Sequence, residues 1–255
     1  MDYNYITCEK SHNVFYITLN SPPLNILNIA MMNEINSGLD EALEYKDIGV
    51  LVFKNNGKAF SAGVDVEDHT GDKVDEMIEV FHGIFRRLDK FEGLTIAGVK
   101  GAALGGGCEL AIFCDLIIAS DRSKFAQPEI AVGVYPPIAI IHLQNRCPQK
   151  FVYDFLLSGS TVKANDALNV GLISKLVPDE AFDDELEKYV KGFSGKSSIV
   201  LKLTKKALRK SAGLNFIDSL RVVEDIYLNE LMKTHDANEG LTAFLEKRKP
   251  SWNHS

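Results

Sequence analysis

Gly101-Ala-Ala-Leu-Gly-Gly-Gly-Cys-Glu109 is the stretch that decides how this chain reads. The apolar run Thr95 to Val99 precedes it and reads as a strand; the residues from the glycines onward read as a helix. Consecutive glycines at such a junction let a ligand approach bare backbone N–H groups. The helix start adds partial positive charge there. The combination suits a carbonyl oxygen becoming an enolate, and it also suits a tight strand-to-helix turn with no ligand. It is not a P-loop, because no Lys-Ser or Lys-Thr comes after the glycines at the required spacing. It is not a dinucleotide fingerprint, because the G-x-G-x-x-G register is absent.

Glu109 has a counterpart in Phe125-Ala-Gln-Pro-Glu129. Two carboxyl groups aimed at one small site can hold a water and trade its protons. Beside a glycine-built oxyanion hole, that narrows the chemistry to adding or removing water, or moving a double bond, next to a carbonyl. Each glutamate taken alone could instead be a salt-bridged structural acid. A third segment, Lys58-Ala-Phe-Ser-Ala-Gly-Val-Asp65, comes after a strand and sets one glycine among small residues. The N–H of Ala62 could supply the second donor of the hole; otherwise the segment is an ordinary turn.

Outward from these segments, the pattern is layered. Tyr3 to Glu9 and Val14 to Asn20 alternate and read as a hairpin turning at Ser11-His-Asn13. Ile29, Met32, Ile35, Leu39 and Leu43 have helical spacing, with Asn28 as a cap. Val50 to Phe53 is a buried strand, Met77 to Leu88 an amphipathic helix, and Leu116 to Ala119 another strand. Strands alternating with helices predict an α/β core. Beyond Pro136 the segments 148–157, 164–170, 179–193, 197–210, 216–232 and 238–247 read as helices. Leu172 to Val177 is the one clear strand there. This shift divides the chain into a core, 1–197, and a helical region, 198–255.

Composition limits the partners. The chain has 255 residues, is 45% hydrophobic and carries a formal net charge of -7, which argues against a dedicated nucleic-acid binder. The cations Lys202, Lys205, Lys206, Arg209 and Lys210, and those of Glu246-Lys-Arg-Lys249, read as solvated helix faces or as phosphate contacts. The N-terminus lacks the pattern of a signal peptide, and no apolar run approaches membrane-spanning length. Cys8, Cys108, Cys114 and Cys147 show no metal-ligand spacing, so no metal is expected, and a reducing cytoplasm is the simplest setting.

In order, Pro22-Pro-Leu-Asn25, Phe60-Ser-Ala-Gly-Val-Asp65, the glycine segment through Ala111, Cys114-Asp115 and Phe125-Ala-Gln-Pro-Glu129 resemble the enoyl-CoA hydratase/isomerase (crotonase) superfamily over nearly the whole chain. The resemblance implies a spiral of β-β-α turns with C-terminal helices that trimerise, as a homotrimer or a dimer of trimers. It implies an acyl-CoA thioester as ligand, with coenzyme A entering as part of the substrate and no separate cofactor. The oxyanion donors map onto Ala62 and Gly106, and the catalytic acids onto Glu109 and Glu129. The coenzyme A path maps onto Leu24, Ala62, Gly63, Val64, Asp65 and Gly106. Keeping both acids points to hydration, with Glu109 taking a proton from water and Glu129 delivering one to carbon; a double-bond shift needs a single base.

Beyond Glu129 the chain departs from the straight-chain hydratases. Val132-Gly-Val-Tyr-Pro-Pro137-Ile-Ala-Ile-Ile-His142 stands where a glycine-rich turn is usual. This stretch, with Val66-Glu-Asp-His-Thr70 and Val80-Phe-His-Gly-Ile-Phe85, resembles the cyclohexa-1,5-diene-1-carbonyl-CoA hydratases of anaerobic aromatic degradation. Phe81, Phe85, Tyr135, Pro136 and Pro137 are the expected wall for a ring, though the two phenylalanines also suit a helix core. A straight-chain hydratase, an enoyl-CoA isomerase and an RNA- or partner-binding protein on the same scaffold are the competing readings.

Overall fold

The computed structural model of the chain describes residues 3–255. Ile6–Ser11 (β1) and Val14–Leu19 (β2) pair antiparallel, turning at His12 and Asn13. Asn28 accepts a hydrogen bond from Met31 N at 2.8 Å and starts α1, Ile29–Glu44. Three β-β-α units come next along the chain. The first is Val50–Asn55 (β3), Ala59–Ser61 (β4) and Val74–Lys90 (α2). The second is Leu94–Val99 (β5), Ala102–Leu104 (β6) and Gly106–Phe113 (α3). The third is Leu116–Ser120 (β7), Lys124–Ala126 (β8) and Pro137–Leu143 (α4).

Each unit gives one strand to each of two sheets. The larger has the order β1-β2-β3-β5-β7 and closes with Lys175–Val177 (β10); the smaller is β4-β6-β8 with Val162–Lys163 (β9). Stepping through unit after unit, the chain winds as a spiral. Alternation in the larger sheet buries both faces. Leu51, Phe53, Ala97 and Ile117 face one core with α1 and α2, whereas Val50, Val52, Ile96 and Ile118 face Phe182, Leu186 and Val190. Those last three belong to Phe182–Ser194 (α7), preceded by Gln149–Ser158 (α5) and Ala164–Asn169 (α6).

Ser198–Ser211 (α8), Phe216–Asn229 (α9) and His235–Leu245 (α10) complete the chain. Four of the five cations in the α8 run are engaged by the protein itself. Lys205 Nζ lies 2.6 Å from Asp115 and 2.7 Å from Gly93 O, Lys206 pairs with Glu230, Arg209 with Asp89, and Lys202 donates to Lys46 O. Among the described residues no helix is long and apolar enough to cross a membrane.

Two expectations change. The strand expected over Leu172–Val177 shrinks to Lys175–Val177, because Leu172 N and Ile173 N both donate to Ala167 O and prolong the turn that ends α6. The run after Pro136 is a helix, α4, that apolar character alone did not mark.

Candidate active site

The site grows from the C-terminal ends of three adjacent parallel strands, β4, β6 and β8. Ala62–Asp65 extend the first, Gly105 and Gly106 the second, Gln127–Glu129 the third. The pairing Leu104↔Ala126 continues one step further, as Gly105 N donates to Ala126 O at 2.9 Å. Strands three residues long therefore deliver the glycine cluster and the second glutamate side by side.

The expected donor Ala62 is corrected by the hydrogen bonding. Its N–H is already engaged with Leu24 O at 2.9 Å. Gly63 N donates to Ser61 Oγ at 3.1 Å, and Asp65 N to Leu27 O at 3.1 Å. Among the described residues, Val64 N–H alone in this segment has no acceptor. The cause is the parallel bridge between Leu27 and Val64, which uses Gly63 O and Asp65 N and turns Val64 N–H to the other side. Across from it, Gly106 is the first residue of α3, so its N–H has no partner within the helix. The two strips lie close. A β-carbon on Gly63 would lie 3.8 Å from Gly106 N, and one on Gly106 only 2.6 Å from Val64 Cγ2. Glycine at both positions permits the approach, and Gly63 also has φ +104.

Glu109 sits in the first turn of α3 and is 2% exposed. Its Oε1 accepts from Ile138 N at 2.8 Å and Ala139 N at 2.9 Å. Both donors are unpaired first-turn groups of α4, whose opening residue is Pro137. Both N–H groups converge on one carboxylate oxygen, leaving Oε2 without a protein partner among the described residues. Burial chiefly, with the charge of Glu129, pushes Glu109 up to about 7 against these two donors.

Glu129 lies in a 3-10 turn, Pro128–Val132, which Gly133 ends at φ +83. Burial raises its carboxyl too, outweighing the opposing pull of a backbone hydrogen bond and of His69. Gln127 is a site residue that the sequence did not single out. Fully buried, with its amide oriented to satisfy its neighbours, it places Nε2 3.2 Å from both Glu129 oxygens and 3.3 Å from Gly105 O. Its place two residues before Glu129 was the available signal. The result is two carboxyls, each disfavoured as an anion by burial, with the charge of Glu129 further opposing ionisation of Glu109.

The remaining expected residues divide. Leu24 is exposed at the lip, tied through its carbonyl to Ala62, and Asp65 caps the turn beyond it. Phe81 is buried against Gly106, and Phe85 is buried behind it, edge to face with Phe81. Tyr135, 67% exposed, does not join them. With Pro136 it lines a separate 460 Å³ apolar groove, together with Ile130, Val134, Tyr153 and Leu157. Pro137 acts through the start of α4. The five residues expected as one acyl wall thus lie at three places. Among the described residues no cluster of three or more His, Cys, Asp or Glu is placed to hold a metal.

Residues 9–255 match the family model described as Enoyl-CoA hydratase/isomerase. The protein named Probable enoyl-CoA hydratase echA8 of Mycobacterium tuberculosis is 35% identical over 257 residues, with all of both chains covered. The Cyclohexa-1,5-dienecarbonyl-CoA hydratase of Thauera aromatica is 32% identical over 246 residues, covering 96% of this chain and 94% of that protein. In structure, human enoyl Coenzyme A hydratase domain-containing protein 3 superposes with a TM-score of 0.91 at 27% identity, over 98% of this chain and 100% of the other.

Proposed function

The chain belongs to the enoyl-CoA hydratase/isomerase family, and on that premise we propose that it adds water to, or removes it from, a conjugated enoyl-CoA thioester. One observation carries this reading: the Glu129 carboxyl reaches Gly105 beside the unpaired N–H groups of Val64 and Gly106, burial raises both it and Glu109, and its charge is felt by Glu109. The thioester oxygen sits between those donors. Charge develops on it as hydroxide adds to the conjugated system, and losing one such donor costs roughly 3–4 kcal/mol of barrier. Glu109, anchored through Oε1, takes a proton from the attacking water at Oε2. Glu129, steadied by Gln127, delivers a proton to carbon, and the reverse sequence dehydrates. Leu24 and Ala62–Asp65 form the path of the coenzyme A moiety, which arrives with the substrate.

For the acyl group we favour cyclohexa-1,5-diene-1-carbonyl-CoA, hydrated to 6-hydroxycyclohex-1-ene-1-carbonyl-CoA in anaerobic aromatic degradation in the cytoplasm. The Thauera aromatica relative supports it. A plain enoyl-CoA substrate is the second reading, supported by relatives named simply as enoyl-CoA hydratases at 35% identity. Residues 198–255 act as the assembly region of a trimer or dimer of trimers, which their exposed apolar side chains support.

The test is turnover of crotonyl-CoA and the cyclic dienoyl-CoA in oxygen-18 water, monitored by ultraviolet loss of conjugation and product mass. Label in the product of either thioester supports hydration, and the faster substrate decides the acyl group. A shifted double bond with no label overturns the proposal in favour of an isomerase.

A further inference from the structure

Behind the oxyanion donors the protein is closed by rings. A β-carbon on Gly106 would lie 2.9 Å from Phe81 Cζ as well as 2.6 Å from Val64 Cγ2, so Phe81 is the next layer behind the glycine. Phe81 meets Phe85 edge to face, with ring centres 5.0 Å apart and planes at 84°. Phe85 meets Phe113 at 5.1 Å and 68°, and Phe113 meets His142 at 4.9 Å and 34°. Phe113 stands one turn beyond Glu109 on α3, and His142 one turn beyond Ile138 on α4. The rings therefore run alongside the same α3–α4 contact that holds the Glu109 carboxylate.

Phe81 and Phe85 are only 3% and 4% exposed, and edge-to-face contact at these distances is a favourable way for aromatic rings to pack. At its far end His142 lines a 260 Å³ surface cavity with Cys114, Leu143 and Cys147. The rings thus stand between the catalytic residues and looser packing beyond.

We infer that Phe81, backed by Phe85 and Phe113, limits the length of acyl group this site accepts, selecting a short or cyclic acyl-CoA over an extended chain. The inference rests on the hydratase reading and deepens it. With the thioester oxygen on Val64 and Gly106 and the reacting carbons between the glutamates, an acyl chain that extends in depth runs into the Phe81 ring. A flat six-carbon ring ends before it. Displacing a packed phenylalanine is unfavourable, whereas removing it opens a slot that added methylenes can fill.

The experiment compares kcat/KM for crotonyl-, hexenoyl- and decenoyl-CoA and the cyclic dienoyl-CoA in the full-length wild type and in Phe81→Ala and Phe81→Leu. The wild type is expected to favour crotonyl- over decenoyl-CoA by about tenfold or more. Phe81→Ala is expected to raise the decenoyl-to-crotonyl ratio of kcat/KM about tenfold, with Phe81→Leu between. Wild type using decenoyl-CoA as well as crotonyl-CoA overturns the inference. So does an unchanged decenoyl-to-crotonyl ratio in a folded Phe81 variant. The wild-type comparison stands even if Phe81→Ala does not fold. If the wild type hydrates no thioester, the hydratase reading fails instead. The length limit is then read from calorimetric binding of butyryl-CoA against decanoyl-CoA, where equal affinity overturns it.

Discussion

Gly105 and Glu129 approach so closely that no side chain fits between them: a β-carbon on Gly105 would lie 2.9 Å from Glu129 Oε1 and 3.8 Å from Gly63 Cα. Gly105 also holds φ +50, a conformation that favours glycine. One residue thus lets the second carboxyl reach the strip that carries the oxyanion donors. The glycine is needed for space as much as for backbone freedom.

Gly105→Ala is therefore expected to displace the Glu129 carboxylate while leaving both glutamates present. A shift of about 1 Å in a reacting group lowers turnover by about 10²-fold, and this is the loss expected in kcat. Far-ultraviolet circular dichroism should remain that of the wild type. A folded Gly105→Ala enzyme with wild-type kcat would show that Glu129 does not act from this position.

The two acids are expected to be separately indispensable. Glu109→Gln keeps an acceptor for Ile138 N and Ala139 N but removes the base, and Glu129→Gln removes the acid. Each should lower kcat by about 10²–10⁴-fold with the fold intact. Gln127→Ala should act through Glu129, because it removes the amide 3.2 Å from both carboxylate oxygens. Its expected signature is a change in the pH profile of kcat rather than in KM. Near-wild-type turnover by either glutamate variant ends the two-acid mechanism.

Much of this site was legible in the sequence because glycine and paired carboxylates have few other uses at a strand-to-helix junction. Gly106, Glu109 and Glu129 stand where the spacing suggested. The donor after β4 was misplaced by two residues because alternation alone does not say which N–H a neighbouring strand captures. That depended on Leu27, which pairs with Val64 from 37 positions earlier in the chain. Strands of three residues, such as β4, β6 and β8, are too short to show a period, so the smaller sheet was invisible. The start of α4 was hidden for another reason. Pro136-Pro137 reads as a break, yet proline at the first position is a common way for a helix to begin.

Glu109 should also leave a mark on stability. Its carboxyl is raised from an ordinary 4.5 to about 7 in the folded protein, chiefly by burial. The folded state therefore holds that proton more tightly than the unfolded state. The favourable contribution is complete below about pH 4.5 and is lost as pH rises through about 7, an effect on the order of 3 kcal/mol. Glu109→Gln removes the titration, so its Tm should exceed that of the wild type above about pH 7, and the gap should narrow towards about pH 5. Thermal melts across this range test it. A gap that does not vary with pH means that burial does not govern this carboxyl.

The last prediction concerns assembly. Helices α9 and α10 expose Phe216 at 75%, Leu228 at 62% and Phe244 at 82%. Elsewhere on the same chain Val132, Tyr135, Ile141 and Leu157 are 71%, 67%, 72% and 64% exposed, and Tyr135 and Leu157 line the groove beside the Glu129 turn. Two different apolar faces on one chain suit a head-to-tail contact, which closes into a ring when the rotation permits. Phe216→Glu with Phe244→Glu would place charges in such an interface without touching the carboxyl pair. Sedimentation should then show a smaller species than the trimer or hexamer expected of the wild type. Because the groove borders the Glu129 segment, turnover should fall along with assembly. A wild type that sediments as a monomer at micromolar concentration removes the assembly proposal and leaves the chemistry standing.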